Sequence, residues 1–126
     1  MPTELVDLFP TLCALSNLPI PDYIDGFNLA PLIRGADLSV KPRSFAMSQF
    51  PRGKKMGYAL RDERYRFVAW FDTGGKGASP SDVIEMSELY DYDEDPYEQR
   101  NLVKDAQYQN IAKEFSNKIL QIIGGS

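Results

Sequence analysis

The sequence predicts an α+β fold: a small antiparallel sheet of three to four strands with a long C-terminal helix packed on it, preceded by an N-terminal helix and a proline-rich connector. Three observations carry this. Residues 56–60 and 65–71 are two β-prone runs joined by Arg61-Asp62-Glu63-Arg64, which reads as a hairpin. Residues 83–92 alternate once more and run into an acidic turn closed by Asp95-Pro96. Residues 105–123 then place Ile111, Phe115, Ile119, Ile122 and Ile123 at helical spacing, with Asp105 able to cap the helix and Gly124-Gly125 to stop it.

In chain order, Leu5, Leu8, Phe9, Leu12 and Leu15 recur at three- and four-residue steps and form one apolar helical stripe. Thr3 is a candidate N-cap. Pro10 lacks an amide donor and should re-start the helix, which would make Asp7 the cap with Pro10 in the first turn. The stripe carries more apolar surface than so short a helix can shield, so it packs either on this chain's own sheet or on something else. Residues 18–43 hold prolines at 19, 21, 31 and 42, a turn signal at Asp25-Gly26, and a short helical turn over Leu29, Leu32 and Ile33 ended by Gly35. Residues 44–50 alternate as a strand and lead into the basic stretch Pro51-Arg52-Gly53-Lys54-Lys55. In the next hairpin, Tyr65, Phe67, Ala69 and Phe71 share one strand face and Arg66, Val68 and Trp70 the other. A strand apolar on both faces is central or covered. Glycines, serines and a proline make residues 72–82 a loop. In the strand that follows, Leu89 is expected inward, together with Val83 and Met86.

Composition narrows the function. A net charge of -4 offers no basic face for nucleic acid. The apolar runs are too short to span a bilayer, and no basic-then-apolar leader opens the chain, so no membrane segment and no export signal are read. The single cysteine, Cys13, excludes an internal disulfide and reads as a buried small hydrophobe. Histidine is absent, which removes Ser-His and Cys-His nucleophilic sets from this chain.

Two stretches carry candidate chemistry. Arg52, Lys54 and Lys55 put three cations beside two conformational hinges, an arrangement suited to sulfate, phosphate or carboxylate. It also suits a solvated hairpin edge that discourages strand pairing. Asp91, Asp93 and Asp95 imitate the start of a calcium loop, but that loop needs glycine where Pro96 stands and glutamate where Leu102 stands. A solvated acidic turn, with Asp95 capping nearby amides, is the preferred reading. Residues 61–64 likewise read as a solvated turn. Tyr90, Tyr92 and Tyr97 could stack on a sugar or pack as a corner. No Asn opens an Asn-x-Ser/Thr acceptor. The residues alone give no metal site and no catalytic set.

Three segments together resemble the C-terminal region of type I, formylglycine-dependent sulfatases. These are E-L-V-D-L-F-P-T-L-C-A-L-S-N-L-P-I-P at 4–21 with D-G-F-N-L-A-P-L-I-R-G at 25–35, S-Q-F-P-R-G-K-K-M-G-Y-A-L-R-D-E-R-Y-R-F-V-A-W at 48–70, and E-L-Y-D-Y-D-E-D-P-Y-E-Q-R-N-L at 88–102. The middle segment is similar to the iduronate-2-sulfatase-like branch. Ser16-Asn17 and Asn28 depart from the usual pattern. The resemblance implies an alkaline-phosphatase-like C-terminal subdomain over residues 44–126, with residues 1–43 as the last helix and connector of the catalytic domain.

The resemblance also implies that the parts doing chemistry lie elsewhere. Complete sulfatases use a formylglycine made within C/S-x-P-x-R and bind calcium (or magnesium). Cys13 does not stand in that motif, so no catalytic or metal residue carries over. The expected role is to complete a sulfatase acting on sulfated sugars and to shape its cleft. The missing N-terminal catalytic domain would be the partner, a sulfated saccharide the ligand, and Arg52, Lys54 and Lys55 the anion contacts. The chain alone should be inactive, and its N-terminal helix could drive oligomer formation. Relatives are often periplasmic, secreted or lysosomal. The alternatives are a stand-alone module for anionic saccharides and a structural remnant of a truncated gene.

Overall fold

The computed structural model of the chain describes residues 1–36, 43–74 and 83–124. The expected loop at 72–82 falls mostly outside them, as do Pro42 and Gly125. Two compact units are present, Met1–Ala46 and Met47–Ser126.

In the first unit a 3₁₀ turn, Leu5–Asp7, leads into α1, Leu8–Leu15. The helix does re-start ahead of Pro10, whose missing amide donor costs nothing in a first turn. Thr3 is not the cap. Glu4 takes that place, because Asp7 reaches back to accept from the Glu4 amide at 2.9 Å and the two residues form a reciprocal capping box.

The buried side of α1 is also not the leucine stripe. Pro10, Thr11 and Cys13 are buried, together with Asp7 just before the helix, whereas Leu5, Leu8, Phe9 and Leu12 are each more than half exposed. What turns the helix this way is hydrogen bonding. Asp7 Oδ1 accepts the Phe27 amide at 2.9 Å and meets the Arg43 guanidinium at 2.5 Å, while a second Arg43 nitrogen bonds Glu4. Thr11 Oγ1 donates to the Asp7 carbonyl at 2.6 Å and accepts from the Leu29 amide at 2.9 Å. A buried carboxylate requires such partners, so this polar side fixes how the connector lies.

Asp25-Gly26 is not the expected turn; that falls at 22–23. Gly26 is needed for closeness: a Cβ there would lie 2.0 Å from the Val6 carbonyl oxygen. α2, Ala30–Ile33, ends at Gly35 with φ 85°, and the Ala36 amide bonds back to Pro31 at 2.9 Å.

The second unit is a four-stranded antiparallel sheet in the order β1-β2-β3-β4, with strands Ala46–Arg52, Lys55–Arg61, Tyr65–Asp72 and Ile84–Asp91. The residue 61–65 corner is closed by Asp62 Oδ1, which accepts the Arg64 and Tyr65 amides at 2.8 and 2.6 Å. β3 is interior, and on one face Phe67, Ala69 and Phe71 are fully buried. α3, Gln109–Gly124, covers that face, entered through a 3₁₀ turn capped by Asp105. Phe115 meets Phe67 and Tyr65 at ring-centroid distances of 6.0 and 6.4 Å, and Ile119 and Leu89 complete the core. Each such buried side chain contributes about 1.5–3 kcal/mol of transfer free energy.

Leu89 is inward as expected, but Val83 and Met86 are exposed. Met86 stands three residues before Leu89 in unbroken register, so it shares the face of Trp70, opposite Leu89. A register shift accounts for Val83: Phe71 pairs with Ile84 rather than Glu85, so the extra residue reverses the alternation of the strand ahead of Met86.

Candidate anion-binding groove

The first hairpin of the sheet is tighter than its sequence suggests. Pro51 and Arg52 finish β1, Lys55 opens β2, and only Gly53-Lys54 turns, with Gly53 at φ 63°. Glycine takes that conformation without the steric cost of a Cβ. The turn is tied to the end of β3 by Thr73, whose amide and hydroxyl both donate to the Lys54 carbonyl, at 2.9 and 2.8 Å. The hairpin therefore holds its cations on an anchored backbone.

Arg52, Lys54 and Lys55 line one groove of about 380 Å³, together with Trp70 and Met86. Lys55 is engaged by Glu85 at 2.6 Å, whereas no described carboxylate pairs with Arg52 or Lys54. Trp70 and Met86 were not among the sequence candidates. The signal for them was the β3 alternation, which put Trp70 on the face away from Phe71, combined with a register no sequence prints: Gly57, Trp70 and Met86 are consecutive partners across three strands. Trp70 Nε1 donates to Glu88 Oε1 at 3.2 Å, and the Tyr90 hydroxyl donates to Glu88 Oε2 at 2.8 Å. Burial and that carboxylate push the Tyr90 hydroxyl up to about 12, so it stays a donor throughout the neutral range. The groove can hold an anion beside a flat apolar surface. Among the described residues, those that line it carry no carboxylate, thiol or hydroxyl.

The acidic corner differs from a solvated turn. Asp91 is fully buried and accepts both Arg64 Nε and Nη2, at 2.9 and 2.7 Å, the Asp93 amide at 3.1 Å and the Tyr108 hydroxyl at 3.3 Å. Arg64 above all holds the Asp91 carboxyl below the ordinary aspartate range. Arg64, placed by sequence in a solvated turn, is thus half of a bidentate pair, and Arg61 lies 3.6 Å from the Tyr92 ring centroid. Asp95 does cap an amide, that of Arg100 at 2.8 Å. Of the tyrosines, Tyr97 is exposed, while Tyr92 bonds Glu98. Among the described residues no group of three or more His, Cys, Asp or Glu could hold a metal ion. Asp91, the deepest of the acids, already spends its oxygens on a guanidinium, so calcium or magnesium does not fit there.

Residues 3–124 match the family model described as N-sulphoglucosamine sulphohydrolase, C-terminal. The chain is 31% identical over 113 residues to a Delta 4,5-hexuronate-2-O-sulfatase of Bacteroides thetaiotaomicron, covering 86% of this chain and 21% of that protein. It is 32% identical over 111 residues to human arylsulfatase A, covering 78% of this chain and 22% of that protein. Among solved structures, a 2-O GAG sulfatase superposes with a TM-score of 0.72 at 30% identity, over 94% of this chain and 24% of the other. The chain thus spans about a fifth of the length of the curated relatives it matches. It belongs to the N-sulphoglucosamine sulphohydrolase C-terminal family, the C-terminal domain of sulfatases.

Proposed function

We propose that this chain completes a sulfuric ester hydrolase acting on sulfated sugars, and that its hairpin groove contacts the anionic part of the substrate. In this reading residues 1–43 belong to the catalytic domain's last layer and residues 44–126 form the C-terminal subdomain beside the cleft. Calcium (or magnesium) and the formylglycine would be supplied by the catalytic domain, which is the partner. The observation that carries the proposal is Arg52 and Lys54, cations without a described carboxylate partner, in a groove on a sulfatase-family domain. The relative named as a hexuronate-2-O-sulfatase supports a sulfated sugar as the ligand class.

Two measurements test it. Assayed alone on an aryl sulfate across pH and calcium concentration, the chain is expected to show no turnover, and turnover would overturn the division of labour. Titrated with a sulfated oligosaccharide, it should bind in a manner weakened by added salt and by Arg52→Ala with Lys54→Ala. Binding indifferent to both would remove the groove from the proposal.

A further inference from the structure

We infer that Trp70 is the stacking platform of this groove, so that the site takes a sulfated pyranose lying on the indole with its sulfate against Arg52 and Lys54, rather than a bare anion. The inference rests on the reading that the groove holds a sulfated sugar.

Three features argue for a platform. First, Gly57 stands opposite Trp70 in the β2–β3 register, and a Cβ at 57 would come within 2.8 to 3.0 Å of three atoms of the indole's six-membered ring. The ring lies over a strand position with no side chain, seated directly on backbone. Second, the hydrogen bond from Nε1 to Glu88, itself held by Tyr90, fixes the ring's rotation. A ring already ordered loses little conformational freedom on binding. Third, the groove's wall is mixed: Arg52, Lys54 and Lys55 are cationic, and Trp70 and Met86 are apolar. Its volume of about 380 Å³ falls in the roughly 300–1,000 Å³ range of small-molecule sites, far more than one tetrahedral anion needs. A bare sulfate would use the cations and leave the indole idle. A pyranose has an apolar C–H face for the ring and sulfates at its rim for the cations, which matches both.

Trp70 is the chain's one tryptophan, so its emission reports on this groove alone. The chain is titrated with a sulfated hexuronate-hexosamine disaccharide, and in parallel with sodium sulfate at equal ionic strength. Fluorescence and calorimetry are both recorded. The expected result is a saturable change in Trp70 emission with the disaccharide and none with sulfate. By calorimetry, Trp70→Ala should weaken binding roughly three- to tenfold, while Trp70→Phe, which keeps an apolar ring in the groove, should retain most of it. Disaccharide binding that depends on Arg52 and Lys54 but leaves the emission unchanged, with Trp70→Ala binding as well as wild type, would overturn the platform and leave the anion-contact reading standing. Absence of any binding heat from the disaccharide would overturn both.

Discussion

At the scale of single residues, Asp91 decides more than any other side chain described. It is fully buried at the end of β4, and it joins the β2–β3 corner through Arg64 to the start of the C-terminal helix through Tyr108. Replacing it with asparagine keeps the volume but removes the charge that the bidentate arginine faces. We expect Asp91→Asn to destabilise the domain by about 2 kcal/mol in urea unfolding, the cost of degrading hydrogen bonds to a charged group. The pH dependence has a definite sign. Asp91 titrates below its ordinary value in the folded state, so its contribution is present above the usual aspartate range and is lost as pH falls through the lower, folded value. Stability should therefore fall below about pH 4 in the wild type, and Asp91→Asn should flatten part of that fall; an unchanged acid limb would assign it to other carboxylates. The sequence shows D-x-D-x-D there without the glycine and glutamate that a calcium loop needs. It could not show that one of the three acids is buried, because burial depends on which corner residue lies 27 positions away, and Arg64 looks like any turn arginine in one dimension.

At the scale of elements, legibility follows how local the determining interaction is. The strand segments, the turn at residues 61–64 and the Asp105 cap follow from alternation and from contacts within a few residues, and all were readable; which face of β3 is the core depends on Phe115 of α3, far along the chain, and was not. The phase of β4 was only partly so, since an extra residue at Glu85 is set by pairing with β3 rather than by β4's own alternation. Asn101-Leu102 shows the same principle with a functional consequence for the edge. β4 ends the sheet, and its outer edge is occupied by this pair: the Leu89 amide donates to Asn101 Oδ1 at 3.0 Å, and the Leu102 amide donates to the Leu89 carbonyl at 2.8 Å. A side-chain oxygen thus substitutes for the next strand and blunts an otherwise open edge. Asn101→Ala leaves the amide of a fully buried leucine without its acceptor, so a loss of about 1–2 kcal/mol is expected. Amide exchange at Leu89 should accelerate more than exchange within β3. Uniform acceleration across the sheet would mean that Asn101 acts on global stability alone. The same element-level reasoning covers the groove: Arg52, Lys54 and Lys55 are neighbours in sequence and were found together, whereas Trp70 and Met86 reach them only through register.

At the scale of the whole molecule, the unresolved tension is the outer side of α1. Leu5 is 85% exposed and Leu12 59%, and Leu8 and Phe9 stand between them in the same condition. The helix is held from its other side by Asp7 and Thr11, whose hydrogen bonds to the connector and Arg43 fix its rotation, so it cannot roll over to hide its leucines without breaking that buried set. A contiguous apolar surface of this kind favours association with whatever is available. If a catalytic domain is its proper cover, the chain on its own should self-associate through this face at micromolar concentration. Leu8→Glu with Leu12→Glu should return it to a monomer in sedimentation experiments. Because both side chains project into solvent, the paired substitution should leave the melting of the sheet unit within a few degrees of wild type. A wild-type chain that sediments as a monomer at high concentration would show that the leucine face needs no cover. A double variant that stays associated would move the contact elsewhere, and the exposed edge strand β1 would be the next element to test.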